Sequence, residues 1–332
     1  MRTLKAISIS PSEPPSLLIA VDAEEEFDWS TFSKYADNVT NIRHQVRAHR
    51  IFERYGAVPT YLIDFPVASK EAGYKPLQEL YQQQLCGIEA QLHPWVNPPF
   101  QETVTLGNSF PGNLPMHLER EKLRRLTEEI ENRFCHRPTV YRAGRHGFGP
   151  NTAFILSDLG YGIDMSVLPR TDLRSKGGPD FSKYGPEPFW IADTALLEIP
   201  QTVEILGLLD TYGAKLSNYA NGELARFLKL PGLLARLRLL DRITLSPEGI
   251  RQAEAQRLTR ALVARGHRTF VMSYHSSSLC PGHTPYVQTH DDLEKFLAWI
   301  EAFLEFFCVE MGGRLTTASE VADRFAASRP AM

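Results

Sequence analysis

Residues 17–29 read Leu-Leu-Ile-Ala-Val-Asp-Ala-Glu-Glu-Glu-Phe-Asp-Trp, an apolar run that stops abruptly at acids. Leu17 to Val21 is short enough for a buried strand and too short for a lone buried helix. In parallel α/β sheets both faces of a strand are covered, so such runs are continuous rather than alternating. The carboxyl end of the strand is where α/β folds build their sites, and it is there that Asp22 and Glu24 emerge. A spacing of two places both carboxylates on one side of an extended chain. Paired acids in that position suit a base, a hard-metal ligand, or both. Glu25, Glu26 and Asp28 read as solvated bystanders.

Outward from this stretch, strand-like and helix-like runs alternate. Strands are expected at 17–22, 58–64, 87–93, 139–143, 163–167, 196–201 and 269–275. Helices are expected at 40–55, 70–84, 117–134, 151–159, 247–265 and 291–309, with Gly56, Gly160 and Gly266 as stops. This alternation predicts βαβ units with parallel pairing. About seven such units with polar strand ends favour a distorted (β/α)7-type barrel, an α/β fold, over an open sheet. Neither G-x-G-x-x-G nor G-x-x-x-x-G-K follows any strand, which removes the support for a nucleotide-binding doubly wound sheet. Residues 17–325 read as one barrel domain behind a loosely packed leader, 1–16. It carries a Gly/Pro/Ser-rich surface loop at 168–190 and a helical insertion at 207–242. Within the insertion, Pro231 and Gly232 break two apolar and basic helices. They read as a hairpin packed on the barrel or as a surface for peripheral membrane contact.

The 332 residues carry a net charge of −3, leaving no basic excess with which to neutralise phosphates, so a nucleic-acid partner is not expected. No stretch approaches the roughly 20 apolar residues of a membrane span. Cys86, Cys135, Cys280 and Cys308 are scattered without a C-x-x-C pair, which suits reduced thiols and a cytoplasmic location.

Three more strand ends carry chemistry-bearing residues. The segment Glu89-Ala90-Gln91-Leu92-His93-Pro94-Trp95-Val96-Asn97-Pro98-Pro99 ends a strand at His93, with Trp95 forming a rigid pocket wall. His93 with Asp22 and Glu24 is a workable divalent-metal set. Tyr141-Arg142-Ala143-Gly144-Arg145-His146-Gly147 places two arginines before a glycine-rich turn, where they can orient a carboxylate or bind an anion. Val271-Met272-Ser273-Tyr274-His275-Ser276 ends in a histidine suited to general-acid work. The serines lack a G-x-S-x-G elbow, so a serine hydrolase fits poorly.

These four segments, in this order, resemble the polysaccharide deacetylase family, the NodB-homology or carbohydrate esterase 4-like group. The phrases 93–99, 141–145, Pro-Phe-Trp at 188–190 and Pro-Gly-His-Thr-Pro-Tyr-Val at 281–287 are most similar to the branch labelled WalW-type deacetylases. The resemblance implies a hydrolase that removes N-acetyl groups from an amino-sugar polysaccharide or its precursor. It implies Asp22 as base, Arg142 as its orienting partner, His275 as acid and Asp164 as the partner of that acid. It implies a divalent metal, zinc, held by Glu24, His93 and Asn97. Trp95, Arg145, Trp190 and Tyr274 would line the sugar site.

There are departures from the family pattern. Met272 stands where the late motif has Leu. The second motif has the form His-x-x-x-His, and four residues after His93 the chain has Asn97. Aligning Gln91 with the first His instead would put Trp95 at the second. The Gly87-x-Glu89 start favours the first alignment, and Asp64 is an alternative oxygen donor. The absent second imidazole leaves two other readings open: a carbohydrate-binding relative without metal or turnover, and a hydrolase of a non-sugar amide. The oligomeric state is not legible.

Overall fold

A computed structural model of the chain describes residues 3–7, 9–26, 32–207 and 241–329. The expected helical pair at 207–242 lies almost wholly outside the described residues, and with it any membrane-facing surface there.

The strands are β1 (Thr3–Ala6), β2 (Ser16–Ala23), β3 (Thr60–Ile63), β4 (Gly87–Leu92), β5 (Val140–Ala143), β6 (Ile163–Asp164), β7 (Phe189–Ile191), β8 (Leu197–Glu198), β9 (Val203–Leu206), β10 (Asp241–Thr244), β11 (Thr269–His275) and β12 (Arg314–Leu315). The α-helices are α1 (Val46–Tyr55), α2 (Phe65–Ser69), α3 (Glu71–Gln82), α4 (Met116–Phe134), α5 (Thr152–Leu159), α6 (Gln252–Ala264), α7 (His290–Glu305) and α8 (Ala318–Phe325). Strands β11, β2, β3, β4, β5, β6 and β8 pair in that order, all parallel, and curl into a half-barrel with the helices outside. The gap between β8 and β11 is bridged by the β9–β10 hairpin. Val271 N–H donates to Thr202 Oγ1 at 2.8 Å, and Ser273 N–H donates to the Leu245 carbonyl at 3.2 Å.

The expected alternation of strands and helices is present, with three differences. The leader is not loose throughout: β1 pairs antiparallel with β7, covering a sheet edge that would otherwise present unpaired backbone groups. The surface loop expected at 168–190 ends in a strand, β7. The helix expected from Pro247 begins only at Gln252, because Ser246 to Ile250 turn back over the barrel mouth.

Period-2 alternation decides which side chains face the barrel interior. In β2, Leu17, Ile19, Val21 and Ala23 belong to the large core under the helices, while Leu18 and Ala20 belong to the barrel interior. Val140, Val271, Leu197 and Ile199 join that interior, and Ala318, Val321 and Phe325 of α8 plug it. The plug sits at the amino-terminal end, where Arg324 Nη1 reaches Ser16 Oγ at 3.2 Å. The carboxyl-terminal mouth is left for polar groups.

Leu18 is 0% exposed inside this second core. Leu18→Ala is expected to cost about 2–5 kcal/mol, the range for truncating a packed leucine, with little relief from collapse in a strand-walled interior. A lower denaturant midpoint at unchanged slope checks it.

Candidate active site

The inward-facing positions of four strands converge at the mouth. Asp22 continues the Leu18–Ala20 face of β2, Arg142 continues the Val140 face of β5, and His275 continues the Val271–Ser273 face of β11. His93 follows β4, whose Ile88, Ala90 and Leu92 face the helices. His275 is the register partner of Asp22 on the neighbouring strand.

Asp22 is held from two directions. Arg142 Nη1 donates to Asp22 Oδ1, and His275 Nε2 lies 3.9 Å from Asp22 Oδ2. Arg142 is itself fixed, with Nε donating to the Met165 carbonyl at 3.1 Å and Nη2 to Ser273 Oγ at 3.4 Å. The guanidinium therefore has one orientation available and so does the carboxylate it grips.

His275 is paired with Glu248. Its Nδ1 lies 2.8 Å from Glu248 Oε2, its backbone N–H donates to Oε1 at 3.0 Å, and Ser278 Oγ also donates to Oε1. Burial pulls the imidazole pKa down, but the carboxylates of Glu248, Glu24 and Asp22 outweigh it and push it up to about 10. The partner expected at Asp164 is corrected here. Ile163 and Met165 face the barrel interior, so Asp164 between them faces away. It accepts from Ser166 Oγ at 2.6 Å and pairs with Glu198, its register neighbour on β8. Burial raises the pKa of both acids. Glu248 was hidden from sequence reasoning by a helix drawn from Pro247, although Pro247 and Gly249 on either side of it signal a turn.

Glu24 and Glu25 are both buried. Burial pushes Glu24 up to about 8, against the pull of His275 and His93, and pushes Glu25 up to about 7. Glu25 is no bystander, because β2 ends at Ala23 and the chain turns inward. Its Oε2 lies 2.8 Å from His93 Nδ1, its Oε1 accepts from Trp95 Nε1 at 2.7 Å, and its backbone N–H donates to Asp64 Oδ2 at 2.7 Å. Asp64 also caps α2 through Val67 N–H, at 2.9 Å, and burial with the Glu25 charge raises its pKa. Glu26 accepts from Thr40, Asn38 and the Asn41 backbone, a structural role.

Glu25, Asp64 and His93 place ligand atoms within 4.8 Å of one another, the one such cluster among the described residues. Imidazole with carboxylates is donor chemistry for zinc and other divalent cations. The two ring nitrogens of His93 are not equivalent. The Nδ1 face is occupied by Glu25, with Asp64 Oδ2 at 3.8 Å. The Nε2 face looks at Glu24 Oε2, 3.5 Å away. A carboxylate on one ring nitrogen is the usual support for an imidazole that binds metal through the other. The residues present therefore fit a cation, which Glu24 and His93 could hold with Glu25 orienting the ring. Asn97 Nδ2 donates to the Pro98 and Lys122 carbonyls at 2.7 and 2.9 Å, tying its loop to α4. Its Oδ1, buried and without a hydrogen-bond partner, is what it has left to offer.

Four residues expected at a sugar surface lie elsewhere or are already engaged. Trp95 is 2% exposed and stacks on His93 with ring centroids 4.4 Å apart, so it is a wall behind the imidazole. Arg145 is clamped between Phe32 and Phe110, 4.7 Å from each ring, and donates to Ser109 Oγ at 2.6 Å. Trp190 packs in the interior core, with Nε1 donating to Ser328 Oγ at 3.2 Å below α8. Tyr274 borders the cleft, but it alternates with Ser273 and His275, so its ring meets Phe296 of α7, 5.7 Å away, in the outer layer.

Asp22, Ser273 and His275 line a cleft of about 240 Å3 together with His146, Arg242, Glu248 and Tyr286. A larger hollow of about 500 Å3 opens at the amino-terminal ends of β4 and β5, away from these acids.

No family model and no curated protein matches the chain. Among solved structures, a protein from Mycobacterium smegmatis provisionally named a polysaccharide deacetylase is similar over 100% of this chain and 99% of its own, with a TM-score of 0.56 and 15% identity. A 4-alpha-glucanotransferase from Thermococcus litoralis is similar over 94% of this chain and 41% of its own, with a TM-score of 0.52 and 11% identity. At these identities the likeness is one of fold. The expected distorted (β/α)7-type barrel is present as a half-barrel of parallel strands, and the resemblance read from the motifs is borne out at the level of fold.

Gly144 is required beside this site. A Cβ there would lie 2.3 Å from the Leu92 carbonyl oxygen and 2.4 Å from His93 Cδ2. Gly144→Ala is expected to lower stability by about 1–3 kcal/mol, as overpacking does, and to shift the His93 imidazole resonances. Denaturation and the histidine region of the NMR spectrum check it.

Proposed function

We propose that the protein is a hydrolase that removes N-acetyl groups from an amino-sugar polysaccharide or its precursor. One observation carries this reading. A single carboxylate, Asp22, is gripped by Arg142 on one oxygen and faces His275 on the other, and both Asp22 and His275 open onto one cleft. Amide hydrolysis needs that arrangement: a base that takes a proton from water and an acid that gives one to the departing amine.

Asp22 accepts the proton of the attacking water, and Arg142 keeps the accepting oxygen aimed. His275 Nε2 donates to the amine nitrogen as the C–N bond breaks. Glu248 on Nδ1 fixes the ring and favours the protonated form. Glu24 and His93 would hold a divalent cation, which when bound would supply Lewis-acid polarisation of the acetyl carbonyl and a lower pKa for bound water. Glu25 holds the ligating imidazole in place, and Trp95 holds Glu25.

The presence of one imidazole in the metal set supports a second reading, a sugar-binding protein without turnover. Acetate release from N-acetylated sugar oligomers, with metal analysis of the purified protein, separates the two. Metal-free protein that binds the oligomers and releases no acetate overturns the first.

Asp22→Asn and His275→Ala are each expected to cost about 10²–10⁴ in acetate release, the usual contribution of a general base or acid. His275 is protonated below its raised pKa of about 10, so its activity limb lies on the alkaline side and activity falls as pH rises through it. Glu248→Gln removes the carboxylate that raises that pKa, and the limb is expected to move to lower pH by about one unit or more. Zinc titration of Glu25→Gln is expected to show affinity lower by about 10–100-fold, the usual effect of losing the group that orients a ligating histidine. Glu24→Ala is expected to abolish zinc binding.

A further inference from the structure

Among the described residues, one charged group that lines the cleft has no opposite charge beside it. Asp22 is paired with Arg142, and Glu248 with His275. His146, pushed down to about 4 by burial and then by Arg142, is neutral at neutral pH. Arg242 remains. Its Nη2 donates to Thr171 Oγ1 and approaches the Pro169 carbonyl at 3.5 Å, both uncharged acceptors. Its Nε is buried and has no hydrogen-bond partner. Burial alone acts on its pKa, pushing it down to about 10 with no carboxylate to offset this, so it stays cationic at neutral pH.

The acids of the same hairpin are already taken. Glu204 accepts from Arg170 through two bonds of 2.7 and 2.9 Å, and Asp241 is bound by Arg257. Arg242 sits on β10 two residues from Thr244, so both share a face, and both line the cleft. A desolvated guanidinium without a counter-charge is costly to keep unless something anionic completes it, and its planar fork suits carboxylate or phosphate.

We infer that Arg242 makes this cleft a receptor for an acidic sugar, one that carries a carboxylate or phosphate on the ring or a neighbouring substituent of the acetylated amine. The inference rests on the sugar reading of the site and adds the charge of the substrate. Thr171 Oγ1 aims the guanidinium, and the anion takes the edge of the fork that opens onto the cleft. Neutral sugars leave Arg242 unpaired when they displace water from the cleft, so selectivity comes from the penalty on the neutral ligand as well as from the bond to the acidic one.

Calorimetric binding to the whole protein tests it with three probes: N-acetylglucosamine, the same sugar bearing a lactyl carboxylate (N-acetylmuramic acid), and the same sugar bearing a 6-phosphate. The wild-type protein is expected to bind at least one acidic probe about tenfold or more tightly than the neutral sugar, and which one identifies the anion. Arg242→Gln is expected to bring that ratio to near one. Arg242→Lys, which keeps the charge and loses the fork, is expected to fall between. Equal affinity of the wild-type protein for all three probes overturns the inference, as does a preference that survives Arg242→Gln. Melting curves check folding, and if Arg242→Gln does not fold, Arg242→Lys decides, an unchanged ratio counting against the inference. Acidic preference without acetate release from any probe or oligomer leaves the inference standing and removes the deacetylase reading. Acetate release without acidic preference does the reverse.

Discussion

Four carboxylates, Asp22, Glu24, Glu25 and Asp64, are buried together where two adjacent parallel strands end. Burying a charge is unfavourable unless it is paired or neutralised, and that constraint organises the barrel mouth. Asp22 is met by Arg142 from β5 and by His275 from β11. Asp64 is met by backbone N–H groups of α2 and of Glu25. Glu25 is met by His93 and Trp95. Glu24 faces the remaining nitrogen of His93 and has the least provision, which is why it is the acid best suited to a cation. The partners come from β5, β11, α2 and the loop after β4, so the electrostatic requirement also fixes how the strand ends sit against one another.

The same arrangement separates two jobs with one imidazole each. His275 has Glu248 on Nδ1 and Asp22 on its Nε2 side, a setting that keeps it charged. His93 has a carboxylate on Nδ1 and a second one beyond Nε2, a setting that fixes the ring between two acids. The difference lies in what faces Nε2: the cleft in one case, a buried acid in the other.

Much of the fold was legible because it follows from local pattern. The run Leu17–Val21 is β2, and its continuation into acids does mark the mouth of the barrel. Gly56 and Gly160 end α1 and α5 in the left-handed conformation, with φ +65° and +89°. The strand-end residues Asp22, Glu24, His93, Arg142 and His275 do converge. What was not legible followed from two physical facts. Strand phase, set by the register of the sheet, turned Asp164 outward between Ile163 and Met165, and the chain's turn after Ala23 brought Glu25 inward. Large aromatic residues fill space, which put Trp190 under α8 and Tyr274 against α7 rather than at a sugar surface.

The sequence by itself determined the elements, their order and the identity of the acids and histidines, because apolar periodicity and turn residues act over a few neighbours along the chain. Only the tertiary structure decided which acid serves which histidine. Glu248 is 27 residues before His275 on a turn with no periodic signal, yet it makes two polar contacts with His275 and a third with Ser278. Arg242 reads as one more basic residue at the end of an insertion, and the fold makes it the unpaired charge of the cleft. Pairing of buried charges is a property of space, set by the curl of the sheet and the crossing of loops over its mouth, and no local rule along the chain encodes it.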